Sequence, residues 1–402
     1  MRIGIDGRYI QDHFPGIGRY TYRLIEALAQ VAGDESFVVL HNPELRNTRY
    51  DVTALARHPN VTLVPVDVPT FALTGNHTLT GVSTRLARWW GVIAGHLAEQ
   101  TRLPWVVRRL RLDVLHSPYY IKPYLLPCPS VVSLYDLIAA RYPQYLPSSW
   151  ARLAFAITTR LAITSAKRLI TLSAASRRDL MELYDVPPAR VAVTSLAADE
   201  RFQPIAEATI LEAVRRKYAL PEHFVLYLGS NKPHKNLVRL VEAWAQFRNS
   251  KFEIRSLVVA GHWDTRYPQA QQKATELGLG EAVRFLGDVS EADLPALYNL
   301  ATVFAFPSLY EGFGLPPLEA MACGTPVVCA NTSSLPEVVG DAALTFDPLD
   351  VPALAAALAQ ALSDADLRAA LRNRGLAQAR LFSWERTARE TLAVYRQAAG
   401  SR

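Results

Sequence analysis

The sequence predicts an α/β protein of two domains, each built on a parallel, doubly wound sheet. Short β-rich runs alternate with amphipathic helical stretches through the first half of the chain. A second series of the same kind begins afresh at His223–Gly229. The chain has 402 residues, half of them apolar, which is too long for one ordinary core and sufficient for two.

The elements of the first half follow from apolar runs bounded by turn residues. Amphipathic spacing predicts helices over Thr21–Val31 and Ser176–Tyr184. The predicted strands are Arg2–Asp6, Ser36–Asn42, Val61–Val66, Asp113–Pro118, Ser130–Asp136 and Arg168–Ser173. Their alternation with helices favours parallel pairing.

The second half repeats this pattern after a join near Ala197–Ala208. Its predicted strands are His223–Gly229, Arg255–Gly261, Ala282–Gly287, Thr302–Ser308, Thr325–Ala330 and Ala342–Asp347. The predicted domains are 1–200 and 201–382, followed by a C-terminal helix over 383–402. Ser383 is expected to cap that helix, with acidic Glu385 in its first turn.

The charge and cysteine content indicate which kinds of partner and environment suit this protein. The net charge of +6 and the pI near 9.2 come from basic residues spread along the chain, which favours an anionic ligand or membrane surface over nucleic acid. Cys128, Cys323 and Cys329 lie in apolar settings without metal-ligand spacing, so we expect reduced thiols of a cytoplasmic protein. No apolar run reaches about 18 residues, and the first residues enter a strand directly, so neither a membrane span nor a signal peptide is expected.

Two glutamates eight positions apart mark the stretch Ser308–Val328. Glu311 falls in the loop after a predicted strand, and Pro316-Pro317 predict that a helix starts there, with Glu319 early in it. Gly312 to Gly314 would offer backbone N–H groups beside that helix N-terminus. The alternative is that Glu311 is a solvated loop residue and Glu319 a partner of the helix dipole.

A basic loop follows the strand that ends at Gly229. Lys232, His234 and Lys235 precede a helix expected to begin near Asn236, and cations at such a turn suit phosphate charge. The glycine spacing and Lys-Ser/Thr pair of a P-loop are missing. A solvated basic loop is the alternative.

Several candidates of the first half also follow strands. Gly16 and Gly18 permit a tight turn into a helix but lack the dinucleotide-binding spacing. Tyr135 and Asp136 should point towards a ligand, although an aspartate there more often caps a helix. His116 at a strand end is more often structural than catalytic.

Two further stretches admit two interpretations each. The segment Arg85–Arg111 mixes arginines with Trp89, Trp90 and Trp105, which suits either a membrane interface or a partly buried helix pair. The carboxylates of Asp364–Asp366 resemble part of a metal site, but without partners they predict a helix start.

Together these clusters resemble the family 4 glycosyltransferases, retaining enzymes of the GT-B fold, in which two Rossmann-like domains face each other across a cleft. The similarity is strongest from Phe224 to Leu349 and includes the signature of two glutamates separated by seven residues, at Glu311 and Glu319. The opening Asp6–Leu28 is also similar to the start of that family. The segment from Phe71 to Arg111 is less similar. The resemblance also implies that the first domain binds the acceptor, that the second binds the nucleotide sugar, and that the C-terminal helix packs back on the first domain.

The resemblance implies a role for each matching position. Glu311, Lys235 and Asp136 would lie at the reacting centre, where Glu311 binds the donor sugar and Lys235 neutralises the pyrophosphate. Glu319 would bind the ribose. The other donor contacts implied are Gly16, Gly229, Ser230, Gly312, Phe313, Gly314 and Leu315, with Lys232 and His234 as further pyrophosphate ligands, and Tyr135 beside Asp136 on the acceptor side.

Three positions depart from the family pattern. Ser230 stands where an arginine is common, and His234 stands where another branch places that arginine, so Lys232 or a protonated His234 would supply the charge. Tyr135 replaces a common histidine. Pro15 replaces a common glycine and stiffens its loop.

The resemblance implies transfer of a hexose from a nucleotide diphosphate to an acceptor hydroxyl. The anomeric configuration would be retained by front-face attack, domain closure would exclude water, and no metal or other cofactor would be needed. GDP-mannose is the preferred donor. The expected acceptor is a glycan or lipid-linked glycan, reached by a cytoplasmic protein that can contact the inner face of an anionic membrane. The alternatives are a nucleotide-sugar epimerase, a glycan phosphorylase, or a non-catalytic nucleotide-sugar or glycan binding module.

Overall fold

The chain divides into two compact units. The computed structural model describes residues 1–11, 15–44, 50–68, 85–146, 148–247 and 256–400, and of residues 15 and 85–94 it describes the backbone alone. Unit 1 comprises Met1–Leu196 together with Trp384–Arg402, and unit 2 comprises Ala197–Ser383.

Unit 1 is an α/β unit. Its strands are β1 (Arg2–Asp6), β2 (Ser36–His41), β3 (Val61–Pro65), β4 (Val114–Ser117), β5 (Ser130–Leu134), β6 (Arg168–Thr171) and β7 (Val191–Val193). Its helices before the join are α1 (Pro15–Val31), α2 (Arg85–Arg109), α3 (Ile138–Arg141), α4 (Ser149–Ser165) and α5 (Ala174–Tyr184). These strands pair in parallel in the order β3-β2-β1-β4-β5-β6-β7.

Unit 2 repeats the architecture. Its strands are β8 (Val225–Leu228), β9 (Leu257–Ala260), β10 (Val283–Gly287), β11 (Val303–Phe306), β12 (Val327–Ala330) and β13 (Ala343–Phe346). Its helices are α6 (Ala208–Lys217), α7 (Leu237–Ala245), α8 (Gln269–Glu276), α9 (Leu294–Leu300), α10 (Leu315–Ala322), α11 (Leu335–Val339), α12 (Val351–Ser363) and α13 (Ala365–Ala379). The parallel strand order is β10-β9-β8-β11-β12-β13.

The prediction of two Rossmann-like α/β units is confirmed. In each sheet the strand order reverses once, between β1 and β4 in unit 1 and between β8 and β11 in unit 2. A crevice opens outside the carboxyl ends of the strands at such a reversal, because the connections leave it in opposite directions. The loops after β8 and β11 therefore meet at one place.

The last helix, α14 (Trp384–Ala399), returns to unit 1. The hydroxyl of Tyr395 lies 2.7 Å from Nδ1 of His116 on β4, and Thr387 donates a hydrogen bond of 2.6 Å to the carbonyl of Ser195. An ion pair between Arg396 and Glu35 adds a partly exposed contact. Unit 1 is thus built from two separate parts of the chain.

Two helix predictions need correction. The first helix begins at Pro15, not Thr21, so Gly16 and Gly18 lie in its first turn; proline suits that position because its missing N–H has no partner there. Arg85–Arg109 forms one helix with Pro104 inside it, not a helix pair. Leu103 and Val107 on either side of Pro104 are buried in the core, and their burial offsets the lost hydrogen bond.

The predicted helix start at Asp364 is confirmed, since its carboxylate accepts the Leu367 N–H at the N-terminus of α13. The three cysteines are free and buried, as the sequence predicts. No helix in the described ranges is both long and apolar enough to cross a membrane.

Candidate active site

Lys235 is presented by the loop after β8. A short 3-10 turn, Pro233–Lys235, ends at Asn236, whose φ of 61° lies in the left-handed region, and α7 follows. The Asn236 amide donates to the carbonyls of Pro307 (3.0 Å) and Pro348 (2.7 Å). This buried amide ties the lysine loop to the segments that follow β11 and β13.

Glu311 is presented by the loop after β11, which is the neighbour of β8. Its backbone N–H donates to the Ser333 hydroxyl at 2.9 Å, and the Ser334 hydroxyl lies 2.9 Å from the Glu311 carbonyl and 2.6 Å from the Phe313 carbonyl. Ser334 is fully buried. Ser333 and Ser334 therefore hold the backbone of residues 311–313 in place.

The two loops bring opposite charges together. Nζ of Lys235 lies 2.7 Å from Oε1 of Glu311, and both side chains are mostly buried. The ammonium also lies 5.4 Å from the centroid of the Phe306 ring. Since water screens buried charges poorly, this cation and carboxylate act strongly on each other and on any charged group placed beside them.

Gly314 joins this loop to α10. Its φ is 120°, and a Cβ there would lie 2.8 Å from Cδ2 of Leu335, so a side chain meets both backbone strain and a packed neighbour. The helix starts at Leu315 and ends at Ala322, followed by Gly324 with φ of 76°. The predicted helix is thereby confirmed, with Gly324 as its C-terminal cap.

Glu319 lies inside this helix, as predicted. It is nearly fully buried, and its Oε2 accepts a hydrogen bond of 3.0 Å from the Tyr298 hydroxyl. The carboxylate therefore has a fixed orientation, and it is held by a residue of α9 rather than by solvent.

A protonated His234 is one of the two sources of positive charge that the sequence suggests, beside Lys232, and its environment disfavours the charged form. The side chain is 3% exposed, and burial, together with Lys235 and Lys232, lowers its pKa to about 3. His234 is therefore neutral near neutral pH and supplies no cation. Its carbonyl instead accepts the Leu309 N–H at 2.7 Å, a second tie between the two loops.

The other residues of the basic loop are partly or fully buried, and each has its own contacts. The Lys232 side chain is half-buried, and Ser230 is also partly covered, with its carbonyl accepting the Tyr227 hydroxyl at 2.8 Å. Between them, the amide of Asn231 donates to the carbonyls of Asp264 and Tyr267 in the loop after β9. Asn231 thus fixes the start of the loop that ends in Lys235.

Unit 1 holds the other predicted residues. Gly16 is exposed in the first turn of α1. Asp136 follows β5, and its Oδ1 accepts the Ile138 N–H at 2.8 Å and the Tyr120 hydroxyl at 3.1 Å. The hydrogen bond to Ile138, at the start of α3, is the contact that the helix-capping interpretation of Asp136 predicts.

The side chain of Tyr135 does not point towards a ligand, contrary to the prediction. Its side chain is buried, its ring centroid lies 4.9 Å from that of Tyr20 in an edge-to-face arrangement, and burial raises its pKa well above the usual value. The alternation of side chains along the strand explains this, because Tyr135 lies two residues after Ser133, whose hydroxyl lies 3.4 Å from that of Tyr20 on α1. The structural interpretation of His116 is supported, since it is buried between Ser133 and Tyr395.

The sequence predicts Lys235, Glu311 and Glu319 as site residues. It does not predict the residues that position them, which are Asn236, Tyr298, Ser333 and Ser334. Asn236 carried a usable signal, because asparagine tolerates the left-handed region and follows the basic turn directly. The serines and Tyr298 gave none, since they lie in other segments of the sequence. No group of three or more His, Cys, Asp or Glu side chains suited to a metal ion occurs among the residues described above.

Comparison with known proteins agrees with this geometry. A family model described as Glycosyltransferase Family 4 matches residues 15–201, and one described as Glycosyl transferases group 1 matches residues 212–378. O-antigen chain mannosyltransferase B of Escherichia coli is 32% identical over 98% of this chain and 100% of its own length. The chain belongs to the family 4 glycosyltransferases.

Solved structures show the fold of this glycosyltransferase. Sucrose-phosphate synthase from Thermosynechococcus elongatus covers 100% of both chains with a TM-score of 0.73 at 20% identity. HepE of Anabaena, solved in complex with UDP and glucose, covers 98% of both chains with a TM-score of 0.69 at 19% identity. The predicted GT-B fold is confirmed, and the protein is a glycosyltransferase.

Proposed function

We propose that this glycosyltransferase moves a mannosyl group from GDP-mannose to a hydroxyl of a glycan or lipid-linked glycan, with retention at the anomeric carbon. The observation that carries the proposal is the Lys235–Glu311 pair, formed by the loops of the two strands at the reversal point of unit 2. The similarity to O-antigen chain mannosyltransferase B supports the choice of sugar.

Lys235 is the proposed ligand of the donor diphosphate. Cleavage of the sugar–phosphate bond leaves negative charge on the diphosphate, and a fixed cation stabilises this charge more in the transition state than in the ground state. A diphosphate carries more negative charge than one carboxylate, so it attracts the Lys235 ammonium more strongly than Glu311 does. Backbone N–H groups of Phe313, Gly314 and Leu315 at the start of α10 would add to that stabilisation.

Glu311 is the proposed ligand of the sugar hydroxyls, and Glu319 that of the ribose. A carboxylate accepts hydrogen bonds from two hydroxyls at once, which fixes the orientation of a sugar ring. The serine contacts hold the backbone of Glu311, and the Tyr298 hydroxyl orients the carboxylate of Glu319. Such preorganised groups lose little entropy when the donor binds.

The proposed reaction needs neither a metal nor a covalent glycosyl-enzyme. Lys235 and the α10 N–H groups take the place that a metal would have on the diphosphate. The leaving phosphate oxygen would accept the acceptor proton on the same face of the sugar. Asp136 of unit 1 is proposed to contact the acceptor, and Gly16 to lie against the diphosphate.

A donor panel tests the proposal. GDP-mannose, GDP-fucose, UDP-glucose and UDP-galactose are each incubated with the full chain, with and without a chelator, and the nucleotide and sugar products are identified. We expect release of GDP from GDP-mannose, undiminished by the chelator, and an α-linked product by NMR when an acceptor glycan is supplied. An epimerised nucleotide sugar, or binding without turnover of any donor, would contradict the proposed function.

A further inference from the structure

The carboxylate of Glu311 depends on a single partner. Among the described residues, Lys235 is the one side chain within hydrogen-bond or ion-pair distance of it, at 2.7 Å. The side chain of Glu311 is 10% exposed and that of Lys235 is 16% exposed. Little water therefore reaches either charge, and each charge is neutralised by the other.

The groups around Glu311 offer no substitute for this lysine. Tyr227 and Cys329 are fully buried, and burial, together with the negative charge of Glu311, raises the pKa of both side chains. The Tyr227 hydroxyl does not donate to the carboxylate, since it donates to the carbonyl of Ser230 at 2.8 Å. If Lys235 moved away, the charge of Glu311 would remain in a largely apolar setting with nothing to balance it.

The backbone that carries Glu311 is also fixed. Its N–H donates to the Ser333 hydroxyl and its carbonyl accepts from the Ser334 hydroxyl, each at 2.9 Å. Ser333 itself has a φ of 51°, in the left-handed region, and Ser334 is fully buried. Movement of the loop towards solvent would break both hydrogen bonds, so the carboxylate stays in place when Lys235 turns to a ligand.

A nucleotide sugar satisfies both members of the pair, whereas a nucleoside diphosphate satisfies one. The diphosphate of either ligand attracts the Lys235 ammonium, and the hydroxyls of a donor sugar donate hydrogen bonds to the Glu311 carboxylate. A diphosphate without the sugar also draws Lys235 away, but it leaves Glu311 buried and without a partner. An unpaired buried charge is unfavourable, so the free energy of binding differs between the two ligands.

We propose that the Lys235–Glu311 pair discriminates between the intact donor and the nucleoside diphosphate that remains after transfer. Glu311 weakens binding of the nucleoside diphosphate, because it competes with the diphosphate for Lys235 and gains no sugar hydroxyl in return. Once the glycosylated product has left, the ammonium returns to Glu311 and release of the nucleoside diphosphate is favoured. The inference rests on the proposed function, since it takes Lys235 as the diphosphate ligand and Glu311 as the sugar ligand.

Calorimetric titration of the full chain with GDP and with GDP-mannose, in the presence of a chelator, tests this discrimination. Glu311→Gln removes the negative charge and keeps the size of the side chain. We expect this variant to bind GDP at least about tenfold more tightly than the unchanged chain, because Lys235 then has no competing carboxylate. GDP-mannose should gain no affinity, because the same change weakens the hydrogen bonds from the sugar hydroxyls.

Glu319→Gln is the matched control. It changes a second buried carboxylate of unit 2, the proposed ligand of the ribose, which GDP and GDP-mannose have in common. Both ligands should lose affinity by the same factor, so the ratio of their dissociation constants should stay that of the unchanged chain. In Glu311→Gln the ratio should shift at least about tenfold in favour of GDP. Circular dichroism and the Tm of each variant establish that it folds.

Lys235→Met separates the inference from the proposed function. The variant should bind GDP more weakly, and adding Glu311→Gln to it should bring little gain, since no ammonium is left to compete for. GDP affinity unchanged by Lys235→Met would contradict the proposed function. Weaker GDP binding by Lys235→Met, with no tighter binding by Glu311→Gln, would overturn the inference alone. An equal gain from Glu311→Gln with and without Lys235 would also overturn it, by showing direct repulsion of the diphosphate.

Discussion

Nζ of Lys235 lies 2.7 Å from Oε1 of Glu311, although 76 positions separate them in the sequence. Their strands, β8 and β11, are neighbours in the sheet of unit 2, and both residues follow the carboxyl end of their strand. The pair is therefore a consequence of strand order, which places two oppositely charged side chains next to each other.

Removing either partner of this pair should reduce donor turnover. Lys235→Ala removes the proposed diphosphate cation and should lower kcat/KM for the preferred donor by about 10²–10³-fold. Glu311→Gln should lower it as well, and the double variant should lose less than the product of the two effects, because the residues act on one another.

The exposed ion pair Lys273–Glu276 on α8 offers a matched control for that measurement. Lys273→Ala removes a lysine of the same unit and should leave kcat/KM unchanged. Normal turnover by Lys235→Ala would show that Lys235 is not part of the active site.

Tyr298 should affect donor binding by positioning Glu319, without taking part in the chemical step itself. Tyr298→Phe deletes the 3.0 Å hydrogen bond to a buried carboxylate, so we expect a higher KM for the donor with little change in kcat, and a loss of about 1–3 kcal/mol in the free energy of unfolding. Kinetics and denaturant unfolding of the same preparation measure both. An unchanged KM alongside the stability loss would make Tyr298 purely structural.

A methyl group at Gly314 should disturb the loop between Glu311 and α10. Gly314→Ala meets a φ of 120° and a contact of 2.8 Å with Leu335, and should cost about 1–3 kcal/mol of stability and most of the activity. Gly280→Ala is the control, since Gly280 also has a positive φ of 47° but nothing within 4 Å of a Cβ. Equal effects of both variants would show that backbone strain alone matters.

Stability should fall in acid because two buried histidines are neutral in the fold. Burial lowers the pKa of His116 and of His234 to about 3, from an ordinary value near 6.5. The unfolded chain therefore binds more protons between those values, and stability that is complete above about pH 6.5 is lost as the pH falls towards 3, by up to about 1.4 kcal/mol per pH unit for each histidine.

Thermal unfolding across this pH range measures the effect. His116→Gln should flatten the pH dependence of Tm for unit 1, whereas changing the exposed His262 should leave it as it is. A profile unaltered by His116→Gln would contradict a neutral, buried imidazole.

The sequence predicts the fold and the two charged loops because their signals are local. Strand runs, the double proline before α10 and the cations after β8 each lie within a few residues of the feature they determine. The supports of the site are long-range: Asn236 reaches Pro348, and Ser333 reaches Glu311, through contacts that no local pattern announces. Burial also depends on residues that are distant in the sequence. The local pattern therefore indicates neither the neutral state of His234 nor the buried position of Tyr135.

The return of α14 to unit 1 has a consequence for biosynthesis. His116 and the face of α1 receive their covering helix only after the ribosome has made all of Ala197–Ser383, which takes roughly 10–40 s at ordinary elongation rates. During that interval the first sheet is complete but the part of its face at β4, β5 and β6 that α14 covers is exposed, while unit 2 emerges with all its own strands in sequence. Nascent unit 2 should therefore gain protease resistance before nascent unit 1, although it is made second.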